Sequence, residues 1–523
     1  MRKQQGIYIK QAIRTTNETK KQDGVCMKQE QAQNQTTSLQ AGVTGVTPKK
    51  ATAKECKTEK PRIGFISLGC PKNQVDTERM LYDVMQAGYP ITPEESEADI
   101  VIINTCAFIQ QAQKEAIDNI LDVAWLKEHG HLRGIIVTGC LPQRYGEEVM
   151  KELPEVDAVL GVGSVHQIVP AIRALEAGQK GYARFDEITT ETLCGDRVIT
   201  TPTEVAYLKI SEGCDNRCAY CVIPSLRGKL QSRPMEELVE EAQGLDRLGV
   251  KELVLVAQDT TVWGRDLYGE SRLVALIEEI CAHTQIPWIR LLYCYPDKIT
   301  DELVQAFRTN PRLLPYIDLP VQHLSDRILR AMHRKGDSEV IRDAVRRLRT
   351  VKGMVIRSTF ITGFPGETEE DVQILLRGAQ ELRFDRLGVF PYSREEGTPA
   401  YDMPDQVDEQ VKQDRADLVM GEQLLRCEEE NQTLVGNTYA VLCEGFDVPS
   451  GMFFGRSYRD AYDIDGKMYF TCGKGQSRPQ EGQFVPVKVT QVLDYDLIGE
   501  SVGAPTSVPT MLFEEGSAAA DDV

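Results

Sequence analysis

Three cysteines fall within eight residues, Cys214-Asp-Asn-Arg-Cys218-Ala-Tyr-Cys221. Thiolates at such short spacing select zinc or iron–sulfur clusters. A structural zinc site needs a fourth ligand, and the next histidine after Cys221 is His283. Three thiolates on a four-iron cube, by contrast, leave one iron open to a chelating substrate. Asp215, Asn216 and Arg217 make the segment a polar loop at a strand end, not a piece of packed core. Tyr220 adds a ring that can wall off a cluster and pack near a bound nucleoside.

A second trio is spread more widely. Cys70, Cys106 and Cys140 each close an apolar run (ISLGC, INTC, VTGC), at spacings of 36 and 34 residues. Each spacing matches one strand–helix unit. The carboxyl ends of parallel strands line one sheet edge, so these three thiols are expected to converge there, again without a fourth ligand. The other eight cysteines (Cys26, Cys56, Cys194, Cys281, Cys294, Cys427, Cys443, Cys472) show no metal-binding spacing and read as packing or tail residues.

Two further motifs sit in the middle segment. In Ile361-Thr-Gly363-Phe-Pro-Gly366-Glu367 a strand gives way to an acidic helix. Glycine permits close backbone approach to a ligand, and a helix N-terminus offers N–H groups to a carboxylate. Gly363, Gly366 and Glu367 are therefore candidate cofactor contacts. The strand VLVAQDTT places Gln258 and Asp259 at a barrel mouth, where polar side chains read ligands. Arg394, Glu395 and Glu396 fall on the same rim or in a solvated loop.

The elements that must hold these residues follow from periodicity. Residues 61–180 alternate apolar runs (RIGFISLG, ADIVIINT, GIIVTG) with helical stretches, the rhythm of a parallel α/β sheet. Residues 200–430 repeat that rhythm through AYLKIS, ELVLVA, WIRLLY, YIDLP, VIRSTFITG and RLGVFPY, which suits an open or partial (β/α) barrel ending in a charged connecting helix. Residues 432–502 read as a small all-β barrel of about five strands. Residues 1–60 and 503–523 read as loose extensions.

Composition narrows the function classes. The 523 residues carry a net charge of −19, a poor balance for non-specific binding to phosphate backbones. The 60-residue extension is itself basic, with 12 Lys and Arg against 5 Asp and Glu. Fourteen cysteines fall far below the density of a disulfide scaffold, and no apolar run reaches 18 residues. A cytoplasmic protein without a membrane partner is expected.

At CDNRCAYC the chain resembles the radical S-adenosylmethionine enzymes. Over about 440 residues its three-part organisation resembles the methylthiotransferase family, with its terminal TRAM domain. That resemblance implies two 4Fe–4S clusters and S-adenosyl-L-methionine as cofactors. Cys214, Cys218 and Cys221 match the cluster that cleaves S-adenosylmethionine, and Cys70, Cys106 and Cys140 match the auxiliary cluster that handles sulfur. It implies no catalytic side chain beyond the cluster ligands. The runs SLGC-Pro71-Lys72-Asn73, WIRLLYCYP, GVFPYSREEGTPA and FFGRSYRDAYDIDG resemble the protein-modifying branch. The target this implies is the β-carbon of an aspartate in small-subunit ribosomal protein S-twelve, free or in the subunit. Electron and sulfur donors are also implied. Cys294 stands where that branch has an apolar residue, and residues 1–60 have no counterpart. The alternatives are a tRNA adenosine methylthiotransferase, an electron-transfer module and an RNA-binding chaperone. Between Asn431 and Val502, 9 acidic residues face 6 basic ones, which suits a basic protein partner better than RNA but leaves nucleic-acid binding open.

Overall fold

A computed structural model describes residues 60–516. The expected extension 1–60 lies outside them apart from Lys60, as do Cys26 and Cys56. The chain divides into two compact units, one taking residues through Asn73 with Arg79–Glu187, the other Gln74–Glu78 with the chain from Ile188 onward.

The first unit is built on six strands: β1 (Ile63–Ser67), β2 (Ile91–Thr92), β3 (Ile100–Thr105), β4 (Gly134–Gly139), β5 (Ala158–Leu160) and β6 (Tyr182–Arg184). Their order is β2-β1-β3-β4-β5-β6, and every pair is parallel. β3 and β4 are buried along their whole length, as befits central strands covered on both faces. The expected limit at residue 180 falls short, because β6 completes this sheet.

In the second unit, β7 (Val205–Lys209) leads into the two-strand ladder of β8 (Ser211–Glu212) and β9 (Gln231–Ser232). There follow β10 (Glu252–Val256), β11 (Trp288–Leu291), β12 (Leu313–Asp318), β13 (Val355–Thr362) and β14 (Arg386–Pro391). The parallel order β14-β13-β12-β11-β10-β7 leaves both edge strands unpaired with each other, so the barrel is open. Side chains alternate across this sheet. Ala206, Leu208, Leu253, Leu255, Ile289 and Leu291 pack in a core with the surrounding helices, whereas Val205, Tyr207, Val254, Trp288, Leu314, Tyr316 and Val355 form a second core with the C-terminal β module.

That module comprises β15 (Thr438–Asp447), β16 (Met452–Arg456), β17 (Met468–Cys472), β18 (Phe484–Leu493) and β19 (Asp496–Ser501), closed into a five-strand ring by the β15–β16 pairing. Over its described part, residues 503–516, the expected loose tail is tied to the module. Thr506 bridges to Phe484, and β20 (Phe513–Glu514) pairs with β15. The helix Glu409–Gln432 connects barrel to module.

Charged side chains cross the boundary between barrel and module. Glu252 and Arg290 are each 0% exposed and paired with one another; Glu252 also accepts Arg456 of β16 at 2.7 Å. Tyr316 donates to Asp465 at 2.6 Å, and Arg386 pairs with Asp460 at 2.9 Å.

Candidate functional site

In the first unit, backbone register places the second cysteine trio at the carboxyl ends of neighbouring strands. Ser67 of β1 lies opposite Asn104 of β3, and Thr105 opposite Gly139 of β4. Cys106 and Cys140 directly follow the last two, and Cys70 stands three residues beyond β1, at the start of the helix Pro71–Gln86. Gly69 has φ +91°, and a Cβ there would come 2.7 Å from Cys106 Cβ and 3.2 Å from its Sγ. Glycine thus lets the Cys70 and Cys106 backbones approach. Gly139, φ +92°, is similarly hemmed in by Asn104 and Thr105.

Asn73 ties the three strand ends together. Its Nδ2 donates to the Leu68 carbonyl at 3.0 Å and to the Thr105 carbonyl at 2.9 Å. Its backbone carbonyl accepts Asn104 Nδ2 at 2.8 Å, and its Oδ1 lies 4.0 Å from Cys140 Sγ. Cys106 and Cys140 are buried and Cys70 is partly exposed.

In the second unit, β8 carries the chain into the other trio. Gly213, φ +74°, could not accept a Cβ, which would meet the Lys229 carbonyl oxygen at 2.0 Å. The Cys214 N–H donates to the Gly228 carbonyl at 3.0 Å, and the Cys221 N–H to the Cys218 carbonyl at 3.1 Å. Asp215 accepts from Leu230 N–H and pairs with Arg265, while Asn216 Nδ2 donates to Asp259 at 2.7 Å. Lys298 donates to both Asn216 and Asp259. Asp259, 1% exposed, therefore braces the cysteine loop instead of facing an open mouth.

Gln258 acts one layer below. Its Nε2 donates to Glu212, whose carboxylate also pairs with Arg227 at 2.7 Å and Lys209 at 3.0 Å. Asp76, from the Gln74–Glu78 segment, pairs with the same Lys209 and Arg227. Burial alone would raise the Glu212 pKa, but Arg227 and Lys209 outweigh it and hold the group below the usual carboxylate range. The Gln258 Oε1 is buried and has no hydrogen-bond partner among the described residues.

Tyr220 packs beside an apolar cluster of Ala219, Ile328, Met332, Phe364, Tyr392 and Ala400. Burial pushes the Cys214 thiol up and the Cys221 thiol up to about 12. A metal must displace these protons to bind. Among the described residues, no group of three or more His, Cys, Asp or Glu side chains could hold a single metal ion. A four-iron cube takes each thiolate on a different iron, so its donors need not meet at one point.

The Gly363–Glu367 loop is braced from inside. Gly363, φ +70°, presses on Lys412, where a Cβ would come 2.1 Å from Cγ. Glu367 is wholly buried against His323, accepts Gly363 N–H at 2.8 Å, and pairs with Arg415 at 2.9 Å. Gly366 N–H donates to the Asp405 carbonyl at 2.8 Å. The helix that follows is capped by Thr368 and Asp371, so part of its expected N–H supply is already used. Cys294 is 0% exposed within the outer core, as an apolar residue would be.

Sequence reasoning passed over Asn73, Glu212, Arg227, Tyr295, Lys298 and Arg334. Asn73 and Tyr295 lie inside quoted runs, yet their partners are distant in the chain.

Three family descriptions match in order: "Uncharacterized protein family UPF0004" over residues 62–161, the Radical SAM superfamily over 208–378, and the TRAM domain over 435–502. The chain is 46% identical over 444 residues to "Ribosomal protein uS12 methylthiotransferase RimO" of Desulforamulus reducens, covering 84% of this chain and 99% of that relative. It is 47% identical over 453 residues to the protein of the same name from Geobacter sulfurreducens, covering 85% and 99%. The solved radical S-adenosylmethionine methyltransferase TsrM of Kitasatospora setae, with cobalamin and a 4Fe–4S cluster bound, shares the fold at TM-score 0.50. It is 13% identical and covers 65% of this chain and 77% of that one.

Proposed function

Because this chain belongs to the ribosomal protein uS12 methylthiotransferase family, we propose that it places a methylthio group on the β-carbon of an aspartate of uS12. It is a radical S-adenosylmethionine methylthiotransferase that uses iron–sulfur and S-adenosylmethionine chemistry. The finer assignment is two 4Fe–4S clusters, one on Cys214, Cys218 and Cys221, the other on Cys70, Cys106 and Cys140.

The observation that carries this reading is the construction around Cys214–Cys221. Three thiols stand on a hydrogen-bonded polar loop beyond β7, with no fourth Cys or His beside them in the chain. This donor set fits a cluster with one open iron. The buried, unpartnered Gln258 Oε1 offers an acceptor to a bound cofactor.

When bound, these groups supply one-electron chemistry able to break an unactivated C–H bond, together with the sulfur and the methyl group. No side-chain base has a pKa suited to removing such a hydrogen as a proton. The protein's own contribution is support. Asp259, Asn216 and Lys298 fix the cysteine loop; Glu212, Arg227 and Gln258 brace its base; Tyr220, Phe364 and Tyr392 supply an apolar wall that limits water. In the first unit Asn73 holds the strand ends that carry the other trio.

Anaerobic reconstitution with an iron and sulfide count tests the assignment. About eight irons per chain are expected for two four-iron clusters. Cys214→Ala should abolish 5′-deoxyadenosine release, whereas Cys106→Ala should remove about four irons and leave that release intact. A count of about four in the unaltered chain would remove the auxiliary site.

A further inference from the structure

The cysteine loop is hydrogen-bonded to the segment that follows the helix Asp326–Ala331: the Ala219 N–H donates to the Met332 carbonyl at 2.9 Å. His333 then adopts left-handed backbone, φ 55°, which turns the chain sharply. Arg334 emerges against the loop. Its Nη1 lies 3.8 Å from Cys218 Sγ, and its Nη2 donates to the Pro320 carbonyl at 2.7 Å. The Tyr295 hydroxyl lies 3.8 Å from the same sulfur. The Arg334 guanidinium is 4.3 Å from the Tyr295 ring centroid, and Lys298 Nζ is 4.4 Å from it.

Buried arginines of this unit have carboxylate partners: Arg227 has Glu212, Arg290 and Arg456 have Glu252, and Arg386 has Asp460. Arg334 is half-buried, and so is Arg312, which is held by carbonyls and a hydroxyl. Among the described residues no carboxylate pairs with Arg334. Its partners are a thiol, a carbonyl and an aromatic ring. A half-buried cation without an anion is costly, and the anion that would complete this environment is a Cys218 thiolate.

We propose that Arg334, supported by Tyr295, donates to the Cys218 sulfur and raises the reduction potential of the cluster held by Cys214, Cys218 and Cys221. The inference rests on the cluster assignment above. Hydrogen bonds to cluster sulfurs and nearby charge are among the factors that set such potentials. An added electron makes the sulfurs more negative, so a fixed cation stabilises the reduced cluster more than the oxidised one.

The test uses the full chain with Cys70, Cys106 and Cys140 changed to alanine, so that only one cluster assembles. This parent and its Arg334→Gln, Arg334→Lys and Tyr295→Phe variants are reconstituted anaerobically. They are titrated with dithionite, without S-adenosylmethionine, while the electron paramagnetic resonance signal is followed. Arg334→Gln should lower the reduced-to-oxidised ratio at a given potential about tenfold, a shift of about 59 mV to more negative values for a one-electron couple. Arg334→Lys should retain part of the effect, and Tyr295→Phe should shift less in the same direction. If Arg334→Gln fails to hold iron, Tyr295→Phe decides the matter at the same sulfur. Unchanged midpoints at matched iron content overturn the inference. So does an unchanged midpoint with loss of the spectral response to added S-adenosylmethionine, which would assign Arg334 to the cofactor. A parent without any four-iron signal overturns the cluster assignment itself, and the inference with it.

Discussion

At the scale of single residues, the cysteines are the part of the site most legible in the chain, because their chemistry depends on type and spacing alone. Asn73 is different. Its side chain satisfies carbonyls 5 and 32 residues away, and no local pattern announces that. Asn73→Ala takes a donor from the buried Thr105 carbonyl and the part-buried Leu68 carbonyl, at about 1–3 kcal/mol for the buried one and less for the other. The expected outcome is loss of about four irons on reconstitution, with the Cys214 cluster retained; a full iron complement would show that the strand ends hold their geometry unaided. Gln258 and Asp259 teach the converse. Their position after a barrel strand suggested ligand reading, but Asp259 and the Gln258 amide N–H are committed to Asn216, Lys298 and Glu212. Only the Gln258 oxygen is left over.

At the scale of elements, the six barrel strands are readable because each contains a short apolar run, and their sequence intervals leave room for helices. The helix Glu369–Leu382 shows where reading stopped short. Thr368 and Asp371 form a capping box, a pattern visible in the chain as an acidic first turn. Asp371 also accepts Ser325 Oγ at 2.6 Å and pairs with Arg327. Burial would raise its pKa, but these hydrogen bonds outweigh it and hold the group at about 2, below its usual 3.8. A depressed folded-state pKa adds stability above the unfolded value and loses it as pH falls through the folded one. Asp371→Asn should therefore cost on the order of 1 kcal/mol near neutrality, as capping hydrogen bonds do. The gap to the unaltered chain should close between about pH 4 and pH 2, followed by thermal melts across that range. A gap that persists at pH 2 would show that charge is not the source.

At the scale of the whole molecule, the C-terminal β module was legible as a separate domain, but its shared core was not. Trp288 and Tyr316 look the same in sequence whichever partner covers them. Here they pack with Tyr439, Val441 and Phe484 of the module, and Glu252 joins Arg290 to Arg456. Removing one member of a buried ion group strands the others, at about 3–5 kcal/mol. Glu252→Ala should therefore lower the unfolding temperature of barrel and module together, in a single calorimetric transition. Two separated transitions would mean that the module folds independently.

No helix among the described residues is long and apolar enough to cross a membrane. The net charge of −19, together with the basic extension, leaves an acidic body suited to a basic ribosomal protein. The target of methylthiolation is tested most directly on the two candidate substrates. Reconstituted, reduced protein is incubated with uS12 and, in parallel, with tRNA. The S-adenosylmethionine supplied carries a deuterated methyl group, and both products are digested for mass spectrometry. One deuterated methylthio group is expected on one uS12 aspartate and none on tRNA. Label on a tRNA adenosine, or unmodified uS12 despite release of 5′-deoxyadenosine, would contradict it.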